Sequence, residues 1–391
     1  MPIVSEDDIR SQLAEGRITA LSIDTNIFDE KGLRLSSPPL LAVSGLKDRH
    51  FSFILPGTVA KEVIDHLERE ADAALRSAKK GIGEALYAFE TTNPTRDELL
   101  ASISGNRTPS EAADQRFTKY VHDTGCTILD DVKLVDTATI FDSYFSGTPP
   151  FGSGKKKDEF PDALALNALE ATALEQDTRI LVVSKDGDWH AFCESSERLF
   201  LLPDIERALA ILNDAPLGLR KTFLAWLGAE DDGRAEVVSR LENIVEHLDV
   251  DVTAQATHGE LEAYPSAGIL REVGWPNDSD VDIIESETSA DGNTITAFVS
   301  LPLLLAVRFP VELSFSIWDS VDRESVGMGG RIIEVDESLD VRATIVVNVV
   351  DLGSADEQIE FVSCEIDIQS FEIDLGEVDV FEPEDYWDGE D

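Results

Sequence analysis

The sequence predicts an α/β protein with a parallel sheet in its first part and an antiparallel β domain in its last part. Up to about residue 214, short apolar β-rich runs alternate with longer helical patterns, as is typical of a parallel sheet flanked by helices. From about residue 250 onward, apolar and polar residues alternate, as in strands with one buried face. We therefore expect domains over 1–214 and 250–391, joined by a helical connector over 215–249.

The elements of the first domain follow in chain order. ITALSID (18–24) predicts a buried strand, and helix-period apolar positions cover 57–90, with a break expected near Gly81–Gly83. A helix over 108–125 has a Thr-x-x-Glu cap at its start and a glycine at its end. The further predicted elements are a strand at 126–129, a helix over 134–146, a helix opening at Pro161, strands at 179–184 and 198–202, and a closing helix over 204–212.

The remaining chain divides into a helical and a β-rich part. LRKTFLAWLG and RAEVVSRLENIVEHL, within 219–248, are amphipathic and predict one or two helices. Alternating segments such as TITAFVSLPLLLAVRF and VRATIVVNVVD then predict an antiparallel sheet or a small sandwich. The acidic tail FEPEDYWDGED (381–391) is expected to be loose.

Composition excludes several classes of protein. No run of about 18 apolar residues is present, and the start MPIVSEDDIR is acidic where a secretory signal is basic and then apolar. The three cysteines, Cys126, Cys193 and Cys364, lie far apart and form no zinc-ligand spacing. We therefore expect a cytoplasmic protein without a membrane anchor or a zinc site.

Charge separates the two parts of the chain. The net charge is −46, with −14 in residues 1–214 and −32 in residues 215–391. Because a protein that binds a polyanion normally presents a basic face, the C-terminal part is not expected to bind nucleic acid electrostatically. Its acidity could reflect a basic partner, a salt-rich habitat or solubility alone.

Four acidic signals occur where an α/β sheet presents its site, beyond the carboxyl ends of the strands. Asp24 directly follows the first strand in IDTNIF, and Glu62 lies in the helix that begins with PGTVAKEVIDHL (56–67). Asp162 lies in the first turn of FPDALALNAL, and Asp186 and Asp188 follow the strand ILVVS. Taken singly, an acid at a strand end or helix start is more often a helix cap than a ligand, since carboxylates are favoured at helix starts.

The order of these signals resembles the PIN-domain nuclease family, which includes the toxin ribonucleases of bacterial toxin–antitoxin pairs. The resemblance implies a three-layer α/β/α domain over about 17–214, in which Asp24, Glu62, Asp162 and Asp186 meet to hold Mg²⁺ or Mn²⁺. Asp188 would be an additional or alternative ligand. Thr25, Asn26 and Ser184 would shape the site, and Trp189 would anchor its loop in the core.

The chain departs from the family pattern at two places. The insertion between Glu62 and the third acid is long, and Asp158 and Glu159 crowd Asp162, so which of them faces the metal is open. An all-carboxylate set suits a hard cation such as Mg²⁺. Without metal, the clustered anions should raise one another's pKa values.

Lys155, Lys156 and Lys157 form the strongest basic run of the chain. They could bring phosphates to the metal, or they could be a solvated loop. GSGKKK lacks the glycine spacing and the Ser or Thr of a phosphate-binding P-loop. The chain also contains no HExxH or GxSxG motif. His66 is expected to be a surface or core residue of its helix and not a metal ligand. Nucleotide hydrolase, metalloprotease and serine hydrolase functions are thus disfavoured.

The resulting expectation is a metal-dependent endoribonuclease acting on RNA, with a DNA-directed nuclease as a variant. The alternative is a degenerate PIN fold that serves as a binding or scaffolding module. Two roles are open for the C-terminal domain. It could lie over the lysine loop and restrain the nuclease, or it could recognise a basic protein partner.

Overall fold

The structure is a computed structural model that describes residues 5–49, 51–151, 159–213, 218–228, 233–290, 292–319, 324–354 and 357–379. The predicted lysine run, Asp158 and the acidic tail lie outside these residues. The chain divides into two compact units, one comprising residues 1–215 with 283–285, the other 216–282 with 286–391. The helices expected as a connector therefore belong to the second unit.

The first unit contains a parallel sheet surrounded by helices. Its strands are β1 (Ile18–Ile23), β2 (Ser52–Leu55), β3 (Thr127–Ile128), β4 (Arg179–Val183) and β5 (Leu199–Leu202). Its helices are α1 (Glu6–Ala14), α2 (Thr25–Glu30), α3 (Gly57–Ala88), α4 (Arg96–Ser104), α5 (Pro109–Thr124), α6 (Asp131–Leu134), α7 (Thr137–Ser146), α8 (Phe160–Glu175), α9 (Gly187–Ser195) and α10 (Ile205–Leu212). The strand order is β3-β2-β1-β4-β5.

The central strands explain why this sheet is covered on both faces. Every residue of β4 after Arg179 is buried, and β1 is buried at all but one position. Strands that are apolar on both faces must be packed between two layers of helices. The predicted α/β/α architecture with a parallel sheet is confirmed.

The predicted helix break at Gly81–Gly83 is wrong, because α3 runs through both glycines without interruption for 32 residues. A methyl group at Gly81 would meet nothing within 4 Å, so no close packing requires glycine there. Glycine in an exposed helix costs only about 1 kcal/mol relative to alanine. The good helix formers around it, in AALRSAKKGIGEALYA, offset that cost.

The second unit combines two helices with an antiparallel sheet. The helices are α11 (Leu219–Gly228) and α12 (Gly233–Glu246). The strands are β6 (Asp249–Ala256), β7 (Glu260–Pro265), β8 (Ile269–Gly274), β9 (Asp282–Thr288), β10 (Thr294–Asp319), β11 (Glu324–Val350), β12 (Gln358–Ile366) and β13 (Ser370–Val378). The long β10–β11 hairpin is the centre of the sheet, and β13 and β6 form a separate parallel pair. The predicted antiparallel β-rich domain is confirmed.

The helices of the structure can be examined for length and apolar character sufficient to cross a membrane. Among the residues that the structure describes, no helix is long and apolar enough to cross a membrane.

Candidate functional site

Two neighbouring strand ends bring Asp24 and Ser184 together. Strands β1 and β4 pair in parallel with Ile23 opposite Val183, and the Asp24 N–H donates to the Val183 carbonyl at 3.0 Å. The Ser184 hydroxyl donates to Asp24 Oδ2 at 2.6 Å. Because both side chains follow their strands directly, the strand register alone sets the distance between them.

Ser184 is the centre of a hydrogen-bond network. Its Oγ accepts from the backbone N–H of Asp186 at 3.0 Å and from Asn26 Nδ2 at 3.2 Å. An ionised Asp24 can only accept, so the single Ser184 proton goes to Asp24 and the amide nitrogen of Asn26 must face Ser184. Asn26 Oδ1 is then buried and, among the described residues, has no hydrogen-bond partner. A buried acceptor without a partner is rare and indicates a place for a ligand or water.

Thr25 connects the first two predicted acids. Its backbone N–H donates to Asp24 Oδ1 at 2.6 Å, and its hydroxyl donates to Glu62 Oε2 at 2.8 Å. Thr25 is the first residue of α2, and Glu62 lies in the second turn of α3. Thr25, at the start of α2, therefore holds the Glu62 side chain of α3 beside the carboxyl end of β1.

Trp189 connects the other two acids. Its indole Nε1 donates to Asp162 Oδ1 at 2.8 Å, and its backbone N–H donates to Asp186 Oδ1 at 3.3 Å. The indole is fully buried, so it fixes the Asp162 carboxylate relative to the start of α9. The Asp188 N–H also donates to Asp186 Oδ1, at 2.6 Å.

The helix-cap interpretation of the acids holds for two of them. Asp24 is the N-cap of α2 and Asp186 is the N-cap of α9. The cap bonds from Thr25 to Asp24 and from Asp188 and Trp189 to Asp186 all end on a single carboxylate oxygen, Oδ1. Capping and ligand binding are therefore compatible at these positions. Asp162 lies in the first turn of α8 and binds the Trp189 indole instead.

The pKa values show that the acids act on one another. Burial raises the pKa of Asp24 to about 7, and repulsion by Asp162 and Asp186 adds to this, against the hydrogen bonds from Ser184 and Thr25. Burial likewise raises the pKa of Asp162 to about 6, opposed by the Trp189 hydrogen bond and reinforced by the nearby carboxylates. Those carboxylates are Asp186, Glu62 and Asp188. The four predicted acids thus belong to one electrostatic cluster, with Asp188 at its edge.

The donor chemistry of this cluster fits a hard divalent cation. All of its ligating atoms are carboxylate or amide oxygens, which Mg²⁺ and Mn²⁺ prefer. A cation would favour ionised Asp24 and Asp162, opposing the effect that raises their pKa. Among the described residues, however, no three acidic, histidine or cysteine side chains form a group that could hold one ion. The electrostatic and hydrogen-bonding contacts fit a metal, whereas the described side-chain positions do not bring three such groups to one point.

The other predicted residues have different placements. Glu159 stands at the N-cap of α8, three residues before Asp162. Asp158, Lys155, Lys156 and Lys157 lie outside the described residues. The sequence therefore still leaves open whether these five side chains take part in the site.

A set of ion pairs behind the site was not predicted. Lys185, between Ser184 and Asp186, contacts Glu30 Oε2 at 2.6 Å. Lys31 contacts Glu30 Oε1 at 2.9 Å and Glu206 Oε1 at 2.8 Å. These pairs tie the loop after β4 to the end of α2 and to α10. The sequence signal was weak, since single lysines beside glutamates are common on helix surfaces.

A family model described as the PIN domain matches residues 21–189. The match begins within β1 and ends at Trp189, so it spans Asp24, Glu62, Asp162 and Asp186. The resemblance to the PIN-domain family that the sequence predicted is therefore confirmed over residues 21–189, which lie in the first unit. PIN domains are generally nucleases and typically use divalent metal ions. No curated protein and no solved structure matches the chain.

Proposed function

We propose that this protein is a divalent-metal-dependent endoribonuclease. Asp24, Glu62, Asp162 and Asp186 would hold Mg²⁺ or Mn²⁺, and the substrate would be an RNA phosphodiester. The observation that carries the proposal is the network through Thr25, Ser184 and Trp189. It links acids from four separate segments at the carboxyl edge of one sheet.

Each residue has a defined task in this proposal. The bound metal would supply an activated water and would stabilise the charge of the leaving oxygen. Ser184 and Thr25 hold the Asp24 carboxylate by one hydrogen bond to each oxygen. Trp189 holds Asp162. Asn26 Oδ1, which has no hydrogen-bond partner in the described part of the chain, could accept from a water beside the acids.

Cleavage of end-labelled RNA tests this function. The full chain should cleave RNA in the presence of Mg²⁺ or Mn²⁺ and should lose activity in Asp24→Asn. Asp177→Asn is a matched control, since Asp177 is fully exposed and has a positive φ of 48° that asparagine tolerates. Activity that survives EDTA or Asp24→Asn would refute the proposal. Labelled DNA in parallel distinguishes the DNA-directed variant.

A degenerate PIN fold acting as a binding module is the second candidate. It is favoured by one observation, namely that no three potential ligands among the described residues form a group that could hold an ion. Calorimetric titration of the full chain with Mn²⁺ separates the two candidates. A nuclease should bind Mn²⁺ in the wild type and lose that binding in Asp24→Asn, whereas a degenerate module should show no difference between them.

Two roles remain proposals for the acidic second part of the chain, whose residues 215–391 carry a net charge of −32. It could restrain the nuclease by occupying a basic surface, or it could recruit a basic protein partner. Deleting residues 250–391 and checking by circular dichroism that the remainder is folded distinguishes them. A rise in RNA cleavage supports restraint, and unchanged cleavage eliminates it.

A further inference from the structure

A cavity of about 440 Å³ lies in the first unit, beside α3. Apolar side chains from α3, α5, β3, α6 and α8 form its walls, and three charged residues, Lys61, Asp130 and Asp131, contribute to its lining. The residues used below are Lys61, Phe117, Ile128, Asp130, Val132 and Leu164. Among them Phe117 is buried, whereas Val132 is 73% exposed and stands at the mouth.

The cavity lies between the two helices that carry Glu62 and Asp162. Lys61 directly precedes Glu62 on α3, and Leu164 lies two residues after Asp162 on α8. Its remaining lining includes residues that follow β2, which pairs with β1, and β3, the edge strand that pairs with β2. The cavity is therefore on the same carboxyl edge of the sheet as the acids, between two helices that each carry one of them.

The nearby helix N-terminus does not make this cavity a phosphate site. Asp131 is buried and accepts from the backbone N–H groups of Gly57 and Thr58 at 2.9 and 2.6 Å, and from the Thr58 hydroxyl at 2.7 Å. These donors, which could otherwise bind an anion, already have a carboxylate partner. Asp131 also lines the cavity, and its charge would repel a phosphate.

A planar heteroaromatic base suits the lining. The volume lies in the usual range for small-ligand pockets, about 300–1,000 Å³, which combine apolar walls with a few polar groups. The walls from Phe117, Ile128 and Leu164 can cover the faces of a ring. Asp130 can accept from an amino or imino N–H, and Lys61 can donate to a ring nitrogen or carbonyl oxygen.

We propose that this cavity is a subsite for one unstacked base of a single-stranded nucleic acid whose neighbouring phosphate lies at the acid cluster. The proposal rests on the proposed nuclease function. A base can enter such a cavity only when it is unpaired. Base contacts also suit a chain with a net charge of −46, because general attraction for phosphates contributes little to its binding.

Ligand-observed NMR titration of the full chain tests the subsite without cleavage. Nucleoside 5′-monophosphates are compared with ribose 5-phosphate, in EDTA. At least one nucleotide should bind at least about 10-fold more tightly than the base-free sugar phosphate, which corresponds to about 1.4 kcal/mol. Equal binding of the sugar phosphate would overturn the proposal.

Two variants locate the binding. Val132→Trp places a large side chain at the mouth and should weaken nucleotide binding by at least about 10-fold. Lys61→Met removes a donor while keeping most of the side-chain length, and should weaken binding severalfold. Lys80→Met on the same helix is the control, because Lys80 is 81% exposed and does not line the cavity. If Val132→Trp does not fold by circular dichroism, Lys61→Met decides.

Failure of this inference is distinguishable from failure of the nuclease function. If the protein cleaves RNA but neither Val132→Trp nor Lys61→Met changes its affinity for nucleotides, only the subsite is refuted. Nucleotide binding that is lost in the cavity variants, without any RNA cleavage in Mg²⁺ or Mn²⁺, supports the subsite and refutes the nuclease.

Discussion

Asp24 is expected to weaken the metal-free fold at the pH at which it is ionised, and Asp24→Asn should relieve this. Burial raises the pKa of the Asp24 carboxyl to about 7, and repulsion by Asp162 and Asp186 adds to this effect. An amide of the same shape carries no charge to desolvate. The substitution that removes catalysis should therefore stabilise the protein in the absence of metal.

The magnitude follows from the pKa of Asp24. Going from the ordinary value of about 3.9 to about 7 corresponds to about 4 kcal/mol when the group is ionised in both states. Below about pH 4 the group is protonated in both states, so the cost is absent. The cost grows as the pH rises towards 7 and is complete above it. Since asparagine cannot reproduce both hydrogen bonds of the carboxylate, we expect a net gain of about 2–4 kcal/mol at pH 8.

Urea unfolding in EDTA provides the assay. Biosynthetic 5-fluorotryptophan gives each indole its own fluorine resonance, and Trp189 reports on the first unit separately from the tryptophans of the second. The gain in the free energy of unfolding for Asp24→Asn should be largest at pH 8 and should vanish near pH 4. Asp177→Asn, at a fully exposed position, is the matched control and should show no such pH dependence.

If Asp24→Asn destabilises the metal-free protein at pH 8, or stabilises it equally at pH 4 and pH 8, burial and repulsion do not control the Asp24 carboxylate. The acid cluster would then be an ordinary set of helix caps.

Three further substitutions test other parts of the account. Trp189→Phe keeps an aromatic ring but removes the hydrogen-bond donor to Asp162. In a variant that still folds, steady-state assays should show RNA cleavage about 10- to 100-fold slower. An unchanged kcat would contradict this. Lys31→Met removes the ammonium that contacts Glu206, which is only 2% exposed, and urea unfolding should show a loss of about 3–5 kcal/mol. Gly57→Ala places a Cβ 2.7 Å from a backbone carbonyl oxygen, and the same measurement should show a loss of about 1–3 kcal/mol; wild-type stability would mean that this backbone can move freely.

The convergence of the acids could be predicted from the sequence because it depends on strand order. Asp24 and Asp186 follow apolar runs that pair as neighbouring strands, and residues beyond the carboxyl ends of parallel strands share one edge. Glu62 and Asp162 followed from the family resemblance. The alternation of strands and helices predicted that the acids lie at one edge of the sheet, and the net charge did not contribute to that prediction.

The hydrogen bonds that hold the acids could be predicted only in part. The sequence marked Trp189 as a core residue, and the structure buries it fully. That its indole would reach Asp162 depends on how α8 and α9 pack, which no local pattern encodes. The ion pairs of Lys31 were likewise hidden, because Glu206 is 175 positions away along the chain.

The cavity and the length of α3 were missed for different physical reasons. The cavity is enclosed by segments as far apart in sequence as Lys61 and Leu164, so only the folded chain shows it. The prediction of a break at Gly81–Gly83 was wrong because it treated glycine as a helix breaker. In an exposed helix without proline, neighbouring residues of high helix propensity outweigh it.

A crystal of the full chain soaked in Mn²⁺ and measured at the manganese absorption edge tests the central claim most directly. We expect an anomalous peak within about 2.0–2.3 Å of carboxylate oxygens of the four acids, Asp24, Glu62, Asp162 and Asp186. The peak should be absent in Asp24→Asn. Ordered wild-type density for these four side chains without a peak at millimolar Mn²⁺ would contradict the claim that they form a metal site.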